Sequence, residues 1–411
     1  MKLNEGFLAQ MREATELLRS SGPMAATAAI QRALHGAAPN TTAQQADWTA
    51  FLPQQPELRD INPAPAQPDP ASNPAVDVLT RLRKMGQGKW KGMSALQPVQ
   101  DIDPDIDLAG KGRYLSGSCS NRAGTRAYKL YVPSSYREQG GEALPLIVML
   151  HGCKQHPDDF AVGTGMNTVA EENNCFVVYP AQMQGANGSN CWNWFKPEDQ
   201  RRDGGEPSII ADMTREIIRT YNIDPARVYV AGLSAGGAMA AIMGATYPEL
   251  YAAVGVHSGL PYRAAHDLPS AFASMRGGKG KAGPQGISAT VPPPLEQSIP
   301  IIVFHGDRDT TVHPGNGDQV LVQCTSPSRD APHQAEHKVE KGAAPNGRTY
   351  TRSIRLDREG RAVAEHWVVH GAGHAWSGGS SKGSYTDPKG PDASREMLRF
   401  FRSHSRGATR G

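Results

Sequence analysis

The chain has 411 residues, 38% of them hydrophobic and 20% charged, with 44 glycines, 32 prolines and a formal net charge of +3. That length suits one large domain with a substantial core, and the Gly and Pro content foretells much loop. Lys and Arg are scattered rather than gathered on one helical face, which excludes nucleic acid as an implied partner, and no stretch fits a membrane class.

From the N-terminus, residues 1–35 place Leu3, Phe7, Met11, Ala14, Leu17 and Leu18 at helical spacing. After Gly22 and Pro23 the pattern resumes with Ala26, Ala29, Ile30 and Leu34. This predicts a helical hairpin with one apolar face, an element for self-association or docking, with a direct substrate role as the lesser alternative. Glu5, Glu13 and Glu16 interrupt the first 19 residues, so a secretory signal is not expected. Cytoplasm is therefore the expected compartment, with secretion left open. Residues 36–104 carry Pro53, Pro56, Pro63, Pro65, Pro68, Pro70 and Pro74 with no apolar period, and read as a Pro/Ala-rich linker.

Residues 105–405 alternate short apolar runs with helical patterns. Strands are predicted at 127–132 (an edge), 146–150, 175–179, 228–231, 252–256, 301–304 and 366–369. Helices are predicted at 209–221, 235–247 and 392–403. Such alternation implies an α/β fold: a mostly parallel sheet covered by helices on both faces, with its site beyond the C-terminal strand ends. Residues 263–299, rich in Gly and Pro, read as an insertion that is either a cap or a loop.

The sharpest motif is GLSAG at 232–236, set between an apolar strand and a helix of small residues. In that setting Ser234 is a nucleophile on a tight turn, whereas the bland alternative is a glycine-rich turn with a capping serine; Ser118 and Ser258 have no such context. A serine hydroxyl needs a base and the base needs a carboxylate, which in this fold class follow in the order Ser, Asp or Glu, His. The loop after 301–304 offers Asp307 and Asp309. Asp309 is the choice, because the turn after His305-Gly306 should carry Asp307 outward. The loop after 366–369 offers His370 and His374, and the glycines around His374 favour it as the base. The remaining histidines, including His151, His156, His257 and His313, are read as structural or solvated.

The amides of Ala235 and Cys153 are candidates for holding an oxyanion, one following the nucleophile and one in the loop after the apolar run 146–150. Cys153 as nucleophile has no base placed for it. Trp192, Trp194 and Trp376 are candidates for lining a substrate cleft, against the alternative of packing in the core. Five cysteines at irregular spacing, with no CxxC, match neither a disulfide scaffold nor a zinc site, and no metal or organic cofactor is expected.

HGCKQ (151–155), CWNWF (191–195), GLSAGGAM (232–239), HGDRDTTVHP (305–314) and GAGHAWSGG (371–379) together resemble the polyhydroxybutyrate depolymerase family of esterases. These are relatives of the feruloyl and acetylxylan esterases, and the likeness spans roughly residues 105–403. It implies an α/β-hydrolase fold and a serine esterase acting on short hydroxyalkanoate polyesters, their oligomers or small acyl esters, with Ser234, Asp309 and His374 as triad. It further implies a disulfide between Cys153 and Cys191, in tension with a cytoplasmic setting. The chain departs from secreted depolymerases in showing no Thr-rich linker to a polymer-binding domain, and its N-terminal helices look like those of non-secreted members. Rival readings are a feruloyl or acetyl sugar esterase, a serine peptidase, and a non-catalytic polymer- or granule-binding protein.

Overall fold

The computed structural model describes residues 111–138, 140–277, 295, 297–325, 336–345 and 347–407. The expected hairpin at 1–35 and linker at 36–104 lie outside the described residues, as does 278–294, the middle of the expected insertion.

Among the described residues ten strands form one sheet: β1 (Arg113–Asn121), β2 (Gly124–Val132), β3 (Leu144–Leu150), β4 (Phe176–Pro180), β5 (Ile223–Leu233), β6 (Ala253–His257), β7 (Ile301–Gly306), β8 (His337–Ala343), β9 (Thr349–Leu356) and β10 (Ala362–Val369). Their spatial order is β1-β2-β4-β3-β5-β6-β7-β10-β9-β8. The six central strands, β4 to β10, run parallel. β1 and β2 at one end, and β9 and β8 at the other, pair antiparallel.

Among the described residues seven α-helices accompany it: α1 (Pro157–Thr164), α2 (Met166–Glu172), α3 (Gly205–Thr220), α4 (Ala235–Thr246), α5 (Leu268–Met275), α6 (Gly315–Thr325) and α7 (Ala393–Arg402). β3 shows why both faces are covered. Leu146, Val148 and Leu150 enter a core shared with Met213 and Ile217 of α3 and Met239 of α4. Ile147 and Met149 enter the opposite core, with Phe160 of α1 and Met397 and Phe400 of α7. A strand buried on both faces must be apolar at every position, and each such side chain removed from water contributes about 1.5–3 kcal/mol. On α7 the arginines face outward while Phe401 stacks on Tyr229 at 4.9 Å.

The expected edge at 127–132 is corrected: that run lies inside β2, and β1 covers it. The sequence does not foretell β1, β8 and β9, because these strands at the two ends of the sheet are partly solvated and lack an apolar run. β8 is exposed along nearly its whole length and carries Lys338, Glu340 and Lys341, charges that discourage further strand pairing.

Candidate active site

The candidate residues leave the C-terminal ends of neighbouring parallel strands. Ser234 follows β5, with φ 58° and ψ −119°, a sharp strand-to-helix turn that places its hydroxyl at the start of α4. Close backbone approach explains the glycine after it: a Cβ on Gly236 would lie 2.0 Å from the Leu150 carbonyl oxygen. The Ser234 amide donates to the His257 carbonyl at 2.9 Å, joining the turn to the end of β6.

Asp309 follows β7 and is buried. Its Oδ1 accepts from the amides of Thr311 and Val312, each at 2.9 Å. Its Oδ2 accepts from His374 Nδ1 at 2.7 Å. Burial alone would push the carboxyl up, but hydrogen bonds from His305 and His374 hold it well below the usual carboxylate range. With Nδ1 donating to Asp309, His374 keeps Nε2 as the basic nitrogen. The loop carrying His374 presses on the β7 end: a Cβ on Gly306 would lie 2.4 Å from the Ala372 carbonyl oxygen. Among the described residues Ser234 Oγ makes no hydrogen bond to His374, a contact that in such sites commonly tightens only as the reacting carbonyl enters.

Asp307 and His370 form a different pair. Asp307 accepts from His370 Nδ1 at 3.0 Å and from the Gly371 amide at 2.7 Å. Both side chains are partly exposed. His370 Nε2 lies 2.9 Å from Thr351 Oγ1, so both ring nitrogens are engaged away from Ser234.

The loop after β3 lies against the nucleophile, since a Cβ on Gly152 would sit 3.5 Å from Ser234 Cβ. The amide of Cys153 and that of Ala235, the first of α4, have no protein acceptor among the described residues. This is what an oxyanion site requires. Two devices fix the loop. Cys153 is bonded to Cys191. Gln155, quoted in a motif but given no role from sequence, accepts from the Gly152 amide at 2.9 Å and donates to Asp159 at 3.0 Å.

Two of the three tryptophans do not line a cleft. Trp192 and Trp376 are fully buried. Trp192 donates to the His151 carbonyl at 3.1 Å and Trp376 to Ser394 Oγ at 3.1 Å, while Trp376 stacks on His257 at 5.1 Å. Packing occupies both rings, so they support the loops around the site from behind. Trp194 retains 6% exposure, with Phe195 edge-on at 5.7 Å. His151 and His257 are buried, and burial pushes their imidazoles down to about 4 and about 3 respectively. His257 Nε2 accepts from the Ser377 amide at 2.9 Å, a neutral strut between β6 and the segment that follows His374. Among the described residues no group of three or more His, Cys, Asp or Glu could hold a metal ion. Nor is any described helix long and apolar enough to cross a membrane.

Residues 126–327 match the family model described as Esterase PHB depolymerase. The chain is 32% identical to poly(3-hydroxyalkanoate) depolymerase C of Paucimonas lemoignei, over 56% of this chain and 54% of that protein. It is 30% identical to the probable acetylxylan esterase A of Aspergillus fumigatus, over 54% of this chain and 60% of that protein. It thus spans little more than half the length of these two relatives. Among solved structures, the acetyl xylan esterase from Aspergillus awamori superposes with a TM-score of 0.51 at 19% identity, covering 75% of this chain and all of that one. That likeness shows the shared α/β-hydrolase fold.

Proposed function

We propose that this chain, whose residues 126–327 match the esterase PHB depolymerase family model, is a serine esterase cleaving short-chain carboxylic esters, with hydroxyalkanoate oligomers or polyesters as the substrate class. The observation that carries this reading is the 2.7 Å bond between Asp309 and His374, set behind a serine at φ 58° on a strand-to-helix turn. In this mechanism His374 Nε2 takes the proton of Ser234 as its oxygen attacks the ester carbonyl, and Asp309 stabilises the imidazolium that forms. The amides of Cys153 and Ala235 hold the oxyanion. His374 then protonates the leaving alcohol, and a water activated by the same imidazole releases the acid from the acyl-enzyme.

A second reading, hydrolysis of acetyl or feruloyl esters on sugars, is favoured by the likeness to an acetylxylan esterase. Hydrolysis of a 4-nitrophenyl ester series beside 3-hydroxybutyrate oligomers, methyl ferulate and acetylated xylan separates the two. Turnover strongest on short acyl chains or hydroxybutyrate oligomers supports the polyester class, and preference for the sugar esters moves the protein to the other. Activity equal in wild type and Ser234→Ala would sink the serine mechanism. A Ser234 inert to an organophosphonate would favour a binding role without catalysis, and cleavage of peptide anilides a peptidase.

The Cys153–Cys191 bond supports an oxidising compartment in place of the cytoplasm. Thiol trapping of the protein in its native host tests this, and free thiols at both positions would return it to the cytoplasm.

A further inference from the structure

Tyr385 combines two properties that seldom coincide. The residue is 44% exposed, and its backbone sits at φ +52°, a left-handed conformation that strains a bulky residue and that glycine adopts freely. Packing does not account for an exposed aromatic ring held at such a cost, and strain of this kind concentrates where a side chain must be presented to something else.

The backbone around Tyr385 is clamped from several directions. The Ser384 amide donates to Asp159 Oδ1 at 2.8 Å, and the Trp376 amide donates to the Tyr385 carbonyl at 2.7 Å. Thr386 pairs with Trp376 in a short parallel ladder. Gln155 Nε2 also donates to the Ser384 carbonyl at 3.2 Å, and it is the Oε1 of the same Gln155 that holds the Gly152 amide beside Ser234. Tyr385 therefore stands where two loops meet. It is one residue from a group bonded to the loop next to the nucleophile, and its own carbonyl is bonded to the residue two past His374. The same 151–155 loop is bonded from its other end: the Gln182 amide donates to His151 Nε2 at 3.1 Å, and the next residue, Met183, is 48% exposed.

We propose that Tyr385 is a specificity-determining residue of the ester site, its ring forming an apolar wall for the part of the ester that extends beyond the scissile bond. This inference rests on the esterase reading above. An aromatic ring suits the task, because it offers a large apolar face with few rotatable bonds to immobilise. The clamped backbone holds that face in place without help from the core.

The test is steady-state hydrolysis of 4-nitrophenyl butyrate by wild type and the Tyr385→Phe, Tyr385→Ala and Tyr385→Gly variants, with thermal melts of each. Loss of the ring is expected to raise KM about tenfold while leaving kcat within about twofold, because the contact is made alike in ground and transition states. Tyr385→Phe should retain the wild-type KM. Tyr385→Gly, which suits the positive φ, should melt no lower than wild type while sharing the raised KM. An unchanged KM in both Tyr385→Ala and Tyr385→Gly would overturn the proposal, as would a KM change that tracks a fall in melting temperature across the series. A wild-type protein that turns over no ester and leaves Ser234 unlabelled by an organophosphonate would remove the esterase reading, and this inference with it.

Discussion

Asp307 and His370 share a 3.0 Å hydrogen bond between Oδ2 and Nδ1, so the chain presents a second aspartate–histidine pair close to Asp309 and His374. The two differ in burial: the Asp309 side chain is wholly buried, whereas that of Asp307 is 38% exposed. Only Asp309 has its second oxygen fixed by two backbone amides. Asp309→Asn should therefore lower kcat for 4-nitrophenyl butyrate by about 10⁴-fold, the scale seen when a triad aspartate is neutralised. Asp307→Asn should cost less than about tenfold, through its contacts to His370 and Gly371. Equal losses would transfer the orienting role to Asp307.

Gly236 tolerates no side chain. A Cβ there would lie 2.0 Å from the Leu150 carbonyl oxygen and 2.6 Å from that of His151, both backbone atoms that cannot swing aside. Gly236→Ala should destabilise the fold by about 3 kcal/mol or more, read as a lowered denaturant midpoint or as insoluble protein. A variant with native stability would mean that the β3 end and α4 lie farther apart than described.

The Cys153–Cys191 bond closes a segment with a sequence separation of 38 residues. Chain-entropy reasoning assigns such a cross-link about 3–4 kcal/mol of stability, so reduction should lower the melting temperature by roughly 5–10 °C. Because the Cys153 amide is one of the two proposed oxyanion donors, that proposal predicts that reduction lowers kcat more than it raises KM. Kinetics and calorimetry with and without dithiothreitol measure both effects, and unchanged kcat in fully reduced protein would separate the bond from the oxyanion site.

Stability should fall in mild acid. Burial lowers His151 to about 4, His257 to about 3 and His366 to about 4. As pH drops below the ordinary imidazole range near 6.5, the unfolded chain takes up protons that these buried rings refuse, so folding stability present above that range is progressively lost. Asp199 acts in the opposite sense, since burial and then the charge of Glu206 raise it to about 6, and its proton is bound first in the folded state. Burial also lowers His404 and raises Asp392, and the four imidazoles outweigh the two carboxyls. Melting temperatures measured from pH 7.5 to 4.5 should decline monotonically, and a flat profile would mean that the imidazoles are solvated.

Much of the site could be read from local pattern. The GLSAG turn, the apolar runs of β3, β5 and β7, and the order Ser234, Asp309, His374 all rest on short-range rules: periodicity, turn sterics and what each residue type can do. The preference for Asp309 over Asp307 rests on a sharp turn after His305-Gly306 that should carry Asp307 outward, and the structure places these two side chains on different histidines. The support behind the loops was not readable. Gln155 bonds to Ser384 across 229 positions of sequence, and nothing near either residue announces it.

By itself, then, the sequence determined the α/β pattern and the chemical types at the strand ends, because a strand buried on both faces must be apolar and a tight strand-to-helix turn must be flanked by glycine. Only the tertiary structure decided which carboxylate meets which imidazole, that Trp192 and Trp376 are spent on packing, and that Tyr385 is held outward at φ +52°. Those outcomes depend on contacts between segments far apart in the chain, and periodicity carries no information about which distant side chain arrives at a given place.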